Sequence, residues 1–236
     1  MKIMAFIPAR GGSKGILKKN LYPLCGKPLI LYTLDAVKES RFINDIFISS
    51  DNDEIIDYCI GQGFEVPYKR PVELALDTTS MMDAIDDCFR WLKQGHIPLP
   101  DVFILLQPTS PLRTVEDIDQ AIVQFLKDTE KSLVSVNKMI EHPYECIKLT
   151  KDSFEYLDKP KKKYSRRQDY ENNFYFINGA IYIAQPEFLL RHKSFIVNDE
   201  TEFYVMPKER SIDVDDMNGI RGAEVYLNIR NERYLN

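Results

Sequence analysis

A mostly parallel, doubly wound α/β sheet is predicted by three features of this 236-residue chain. Short apolar runs alternate with segments of helical spacing, the pattern of successive βαβ units. Polar motifs recur directly after those runs, where open sheets of this kind bind their ligands. The composition, 44% hydrophobic and 28% charged, suits a packed globular chain. Its length suits one domain over residues 1–236 that carries an inserted arm.

Strands are expected at Lys2–Ile7, Asp45–Ser49, Val102–Leu106, Ser132–Val136 and Ala180–Ala184, each rich in Ile, Val, Phe or Leu. Helical faces fall between them: Ile30, Leu34 and Val37; then Ile55, Ile56, Cys59 and Ile60; then Met82, Ile85, Phe89 and Leu92; then Ile118, Ala121, Ile122 and Phe125. Pro28 marks the start of the first helix, and Thr114 followed by Glu116 and Asp117 marks another start. A last helix begins near Met217. Between Lys138 and Asn178 the alternation stops, and the chain becomes rich in Tyr, Pro and charge. A structureless loop of that length is improbable inside a compact domain, so residues 138–178 are expected to form an arm or lid, with subunit contact as one role.

The first strand runs into Ile7-Pro8-Ala9-Arg10-Gly11-Gly12-Ser13-Lys14-Gly15. Glycines let backbone N–H groups converge on an anion, and Arg10, Lys14, Lys18 and Lys19 add four cations within ten residues. Such a loop suits a triphosphate. It is neither a Walker A loop nor a Rossmann fingerprint, because its glycine and lysine spacing matches neither. Further polar groups follow later strands: Ser49-Ser50-Asp51, then Gln107 to Arg113, then Lys138. Near the C-terminus, Asp213 and Asp215 would project to one side of an extended segment and can hold Mg²⁺. The local sequence alone favours a helix cap at Asp215 or Asp216 instead.

The net charge of −5 argues against general nucleic-acid binding, which needs a basic face. No apolar stretch is long enough to cross a bilayer, and the first residues lack a secretory signal, so a cytoplasmic protein is expected. Cys25, Cys59, Cys88 and Cys146 are widely spaced and read as free thiols.

The run Ile7 to Ile16, with Lys19-Asn20 and Gly26-Lys27-Pro28-Leu29-Ile30, resembles the opening of acylneuraminate cytidylyltransferases, the CMP-sialic acid synthetases. Further motifs stand in the same order: Arg70-Pro71, Asp77-Thr78-Thr79, Leu105 to Arg113, Arg166-Arg167-Gln168-Asp169, Asn178 to Tyr182 and Ile212-Asp213-Val214-Asp215. The resemblance covers nearly the whole chain. It implies a nucleotidyltransferase-type sheet and transfer of CMP from CTP to the C2 hydroxyl of a nine-carbon 2-keto sugar acid. It places Arg10, Gly11, Gly12, Ser13 and Lys14 on the triphosphate, Lys19 and Asn20 nearby, Arg70 and Ser80 beside the nucleotide, and Gln107 between nucleotide and sugar. Lys138, Tyr175 and Arg167, or Arg166 if the register slips by one, match its sugar-side positions. Asp213 and Asp215 match its metal pair for Mg²⁺ or Mn²⁺, and the arm matches a homodimer contact. Two other readings stay open: a cytidylyltransferase for an octulosonate, and a nonenzymatic nucleotide sensor on the same fold. His96, His142 and His192 lie outside all the motifs.

Overall fold

The computed structural model describes residues 1–159, 166, 169–170 and 174–235. Its main sheet is built from β1 (Ile3–Pro8), β4 (Asp45–Ser49), β5 (Val102–Leu105), β6 (Ser132–Lys138), β9 (Tyr175–Ala184) and β10 (Thr201–Val205). These six strands lie in the order β10, β6, β9, β5, β1, β4. The short strands β2 (Pro23–Leu24) and β3 (Lys27–Pro28) pair with each other, as do β7 (Ile147–Leu149) and β8 (Phe154–Tyr156). β1 runs parallel to β4 and β5, and β6 parallel to β10, whereas β9 is antiparallel to both β5 and β6.

The alternation along β1 sorts the core. Ile3, Ala5 and Ile7 pack on one face with Ile30, Leu34, Ile55, Ile118, Ile122 and Phe125. Met4 and Phe6 pack on the other with Ile85, Phe89, Leu92, Phe188 and Leu189. Helices α1 (Leu29–Glu39), α2 (Asp53–Gly61) and α4 (Val115–Phe125) therefore cover one face, and α3 (Met81–Gln94) with α5 (Pro186–His192) covers the other. This is the doubly wound arrangement the sequence predicts. The four expected helical segments coincide with α1 to α4, although Ile60, expected on the core face of α2, is exposed because only Ile55 and Cys59 of that helix are buried in the core. Thr114 and Asp117 close a reciprocal capping box at the start of α4.

Two differences from the expected strands matter for the site. β9 begins at Tyr175 rather than Ala180, and it reverses direction, so its first half lies beyond the carboxyl end of β5, beside the end of β6. β10 is a sixth strand that sequence periodicity does not reveal. Its burial alternates along a sheet edge, with only Tyr204 and the following Met206 well buried, so it lacks a continuous apolar run.

A third apolar cluster joins segments at the carboxyl end of the sheet. Ile16 of the glycine loop, Leu112, Val214 and Leu29 pack with Ile220, Ala223 and Leu227 of the C-terminal helix α6 (Met217–Leu235). Segments from opposite ends of the chain thus share one buried contact. No helix among the described residues is long and apolar enough to cross a membrane. Of the expected arm 138–178, Lys138 and Tyr175 to Asn178 belong to the main sheet, and the described part between them includes a short helical turn, Pro143–Glu145, and the β7–β8 hairpin. Within that hairpin Ile147, Leu149, Phe154 and Tyr156 are exposed.

Candidate active site

At the carboxyl ends of β1 and β5 a cavity of about 260 Å³ is lined by Arg10, Gly12, Ser13, Lys19, Asn20, Arg70, Gln107, Thr109, Asp213 and Asp215, with Pro8, Met81 and Pro108. Every polar or glycine position of this lining except Thr109 is a site residue expected from the sequence. Thr109, and Ser49, which holds Arg70, stand in polar motifs at strand ends that the sequence leaves without a role.

The glycine loop is shaped by close approach. The Gly11 N–H donates to Asp51 Oδ1 at 2.8 Å, and a Cβ on Gly11 would lie 2.7 Å from that of Asn52. The Gly11 amide is therefore engaged, which leaves the following residues Gly12 and Ser13 as the loop positions lining the cavity. A Cβ on Gly15 would collide with the carbonyl oxygen of Asp215, so only glycine allows the loop to press against the acidic segment. Asn20 is buried and donates to the Arg10 carbonyl at 2.9 Å, fixing the loop's entry to its exit.

Each cation is held differently. Arg70 is 5% exposed and donates through Nε and Nη2 to the hydroxyl and carbonyl of Ser49, both at 2.8 Å. Burial pushes its guanidinium below the usual arginine range, opposed by Tyr68 and Asp51. Arg10 and Lys14 both pair with Asp77, at 2.8 and 2.9 Å. Lys14 does not line the cavity, and its side chain is 81% exposed. Lys19 is 15% exposed and reaches Asp215 Oδ1 at 3.0 Å.

The acidic segment divides between a helix cap and the cavity wall. Asp216 accepts from the N–H groups of Asn218 and Gly219, at 2.8 and 2.9 Å, and so caps α6. Those bonds hold its carboxyl below the ordinary range. The local preference for a cap is thus met by Asp216, while Asp213 and Asp215 face the cavity. Between them Val214 is buried, and its N–H donates to the Thr109 carbonyl at 2.8 Å. Asp213 opens to solvent at its surface, yet surrounding protein removes enough water to raise its carboxyl pKa, partly offset by a bond from Thr109 and reinforced by the negative charge of Asp215. A carboxylate pair that repels itself at the edge of a cation-lined cavity suits a hard divalent ion.

The remaining expected site residues lie apart from that lining. Ser80 is the N-cap of α3, and its hydroxyl is engaged with Asp83 at 2.8 Å. Lys138 and Tyr175 are exposed partners across the β6–β9 pair, on the same end of the sheet. Gln107 links the two regions, because a Cβ on Gly179 of β9 would lie 3.9 Å from its Oε1. Arg166 is exposed, and Arg167 lies outside the described residues. Among the described residues no group of three or more Asp, Glu, His or Cys side chains forms a metal cluster, and no histidine lines the cavity. Asp77, which the sequence names only within the Asp77-Thr78-Thr79 motif and without a role, is the partner of both Arg10 and Lys14, a pairing hidden because a single carboxylate in a loop has no spacing that announces its partners.

A doubly wound sheet with a cationic glycine loop and a carboxylate pair at one cavity is an arrangement suited to nucleotidyl transfer. The family model described as Cytidylyltransferase matches residues 4–215, and the chain belongs to that family. It is 37% identical over 217 residues to CMP-N,N'-diacetyllegionaminic acid synthase of Legionella pneumophila, covering 91% of each chain. It is 36% identical to N-acylneuraminate cytidylyltransferase of Streptococcus agalactiae over 91% of this chain, but spans only 51% of that relative. It is 30% identical to pseudaminic acid cytidylyltransferase of Campylobacter jejuni over 98% of this chain and 99% of that one. Among solved structures, a CMP:2-keto-3-deoxy-manno-octonic acid synthetase complexed with CTP superposes with a TM-score of 0.71 at 14% identity, covering 98% of this chain and 100% of the other. At that identity the likeness speaks for the fold.

Proposed function

We propose that this protein transfers CMP from CTP to the anomeric C2 hydroxyl of a nine-carbon 2-keto sugar acid and releases pyrophosphate. The observation that carries this reading is the convergence of Arg10, Lys19 and Arg70 with Asp213 and Asp215 around one cavity. The names of the relatives supply the acceptor class: sialic, legionaminic and pseudaminic acids are all nonulosonates.

In the reaction the hydroxyl oxygen gives up its proton to solvent and bonds to the α-phosphorus as the bond to the pyrophosphate oxygen breaks. Such a displacement needs positioning and charge stabilisation more than covalent help. Arg10 and Lys14 stabilise the departing pyrophosphate, while Gly12 and Ser13 allow the backbone to approach the phosphates. Buried Arg70 holds the nucleotide side, and Gln107 separates nucleotide from sugar. Lys138 and Tyr175, with Arg167, receive the sugar acid, whose carboxylate needs a fixed cation. Asp213 and Asp215 would hold Mg²⁺ or Mn²⁺, which supplies Lewis-acid neutralisation of the phosphate charge. The donor set fits: both groups are oxygen ligands, and Mg²⁺ is commonly bound by one or two carboxylates plus phosphates and water.

The exposed apolar side chains of the β7–β8 hairpin, residues Ile147, Leu149, Phe154 and Tyr156, support a homodimer through the arm. A monomer by light scattering at micromolar concentration refutes that part alone. Among the described residues all four cysteines are free thiols, in keeping with a reducing, cytoplasmic setting.

The deciding measurement is pyrophosphate release from CTP in Mg²⁺ with N-acetylneuraminic, legionaminic, pseudaminic or octulosonic acid. Release with a nine-carbon acid is expected. Turnover with the octulosonate alone reassigns the acceptor, and CTP binding without turnover for any acid makes the protein a sensor.

A further inference from the structure

We propose that Asp77 is an internal anion of the phosphate subsite: it holds Arg10 and Lys14 when no phosphate is bound and competes with pyrophosphate for them. The inference rests on reading those two cations as phosphate ligands. Its two oxygens divide the pair as a phosphate's would, with Oδ1 on Arg10 Nη1 at 2.8 Å and Oδ2 on Lys14 Nζ at 2.9 Å. Hydrogen bonding from Lys14, then from Arg10, holds the carboxyl below its ordinary range, so it is fully charged at neutral pH.

The turn carrying Asp77 is tied at both ends. Arg70 anchors its start, with its guanidinium on Ser49 and its N–H on the Ser50 carbonyl at 2.8 Å. Ser80 anchors its end through the reciprocal capping box with Asp83. Inside the turn, Thr79 donates from its hydroxyl to the Glu73 carbonyl and from its N–H to the Leu76 carbonyl, both at 3.1 Å. The backbone that carries the carboxylate is therefore fixed by the turn, and the carboxylate itself is held by Arg10 and Lys14.

Both ion pairs are solvent-exposed, and exposed pairs are individually weak. A polyphosphate with several charges displaces such a carboxylate easily, and the carboxylate reclaims the cations when the phosphate departs. The same cations that draw in CTP would otherwise retain pyrophosphate, since both ligands present the same groups to them. Asp77 thus weakens binding of the free product without removing the cations that stabilise it during transfer.

Titration calorimetry with inorganic pyrophosphate tests this on wild type, Asp77→Asn, Asp77→Glu and Glu73→Gln, each checked for an unchanged melting curve. Asp77→Asn is expected to bind pyrophosphate about three- to tenfold more tightly, the scale of one or two exposed ion pairs. Asp77→Glu keeps the charge and should stay near wild type. Glu73, exposed on the same turn, reports the effect of net charge alone, and its variant should not tighten binding. Unchanged or weaker binding by Asp77→Asn overturns the proposal, as does equal tightening by Glu73→Gln. Wild-type protein that binds neither CTP nor pyrophosphate instead overturns the assignment of Arg10 and Lys14 on which it rests.

Discussion

The two flanks of this cavity are built in opposite ways. On the glycine-loop side, polar groups are braced by buried structure: Ile16 and Val214 pack in one apolar cluster, Asn20 ties the loop to itself, and Arg70 is buried against Ser49. On the β6–β9 side, Lys138, Tyr175, Phe176 and Ile177 are all exposed, at the ends of two strands from which the arm departs. A site that must stabilise developing charge benefits from rigid placement of its donors, because groups already in position need not reorganise during reaction. A flank that recognises the variable substituents of a sugar can be left as a surface, to be completed by substrate or by a second copy of the chain.

On that contrast, the largest losses come from disturbing the braced side. Gly15→Val drives a side chain into the Asp215 carbonyl and displaces both carboxylates at once. Turnover should fall by at least about a hundredfold, the scale of losing a key electrostatic group. Asp215→Asn should lower kcat by about two to three orders of magnitude with the melting curve retained. Near-normal turnover of Asp215→Asn in saturating Mg²⁺ would remove Asp215 from the metal pair and with it the reason for the bracing.

The exposed flank should respond more mildly and on the other substrate. Lys138→Ala is expected to raise KM for the sugar acid by about tenfold, the scale of one charge-assisted hydrogen bond, with KM for CTP unchanged. A change confined to CTP would place Lys138 on the nucleotide and erase the division into two flanks. Tyr175→Phe should act in the same direction and less, since it keeps the ring and removes only a hydroxyl.

How much of this the sequence carried depends on the range of the forces involved. β1, β4 and β5 with helices α1 to α4 were legible because apolar period and turn chemistry are local. The glycine loop's place at the cavity was legible because three glycines and four cations follow the first apolar run within one short stretch. The direction of β9 was not, since an apolar run such as Ala180–Ala184 reads the same in a parallel or antiparallel strand, and Asn178-Gly179 interrupts the pattern that extends it to Tyr175. Gly179 adopts a left-handed φ of 74°, which glycine accepts without strain, so a residue that looks like a strand end lies within one. The contacts of Asp77 and Thr109 were hidden for another reason. Each acts through partners distant in sequence, Arg10 for the first and Val214 for the second, and no spacing encodes those meetings.

The acidic segment offers the finest test, because three aspartates within four residues divide between two tasks. Asp216 binds backbone N–H groups at the start of α6, whereas Asp213 and Asp215 face the cavity. Asp216→Ala should therefore lower the melting temperature modestly and leave the carboxylate pair in place, with kcat within about twofold of wild type, since caps act on helix stability. The sign of its pH dependence follows from its depressed pKa. A depressed carboxyl contributes stability above its unfolded pKa and loses it as pH falls through the folded value. The melting difference between wild type and Asp216→Ala should accordingly be full at neutral pH and shrink on acidification below the ordinary carboxylate range. If instead kcat collapses while melting is unchanged, Asp216 belongs to the metal pair, and the cap is not what frees Asp215 to face the cavity.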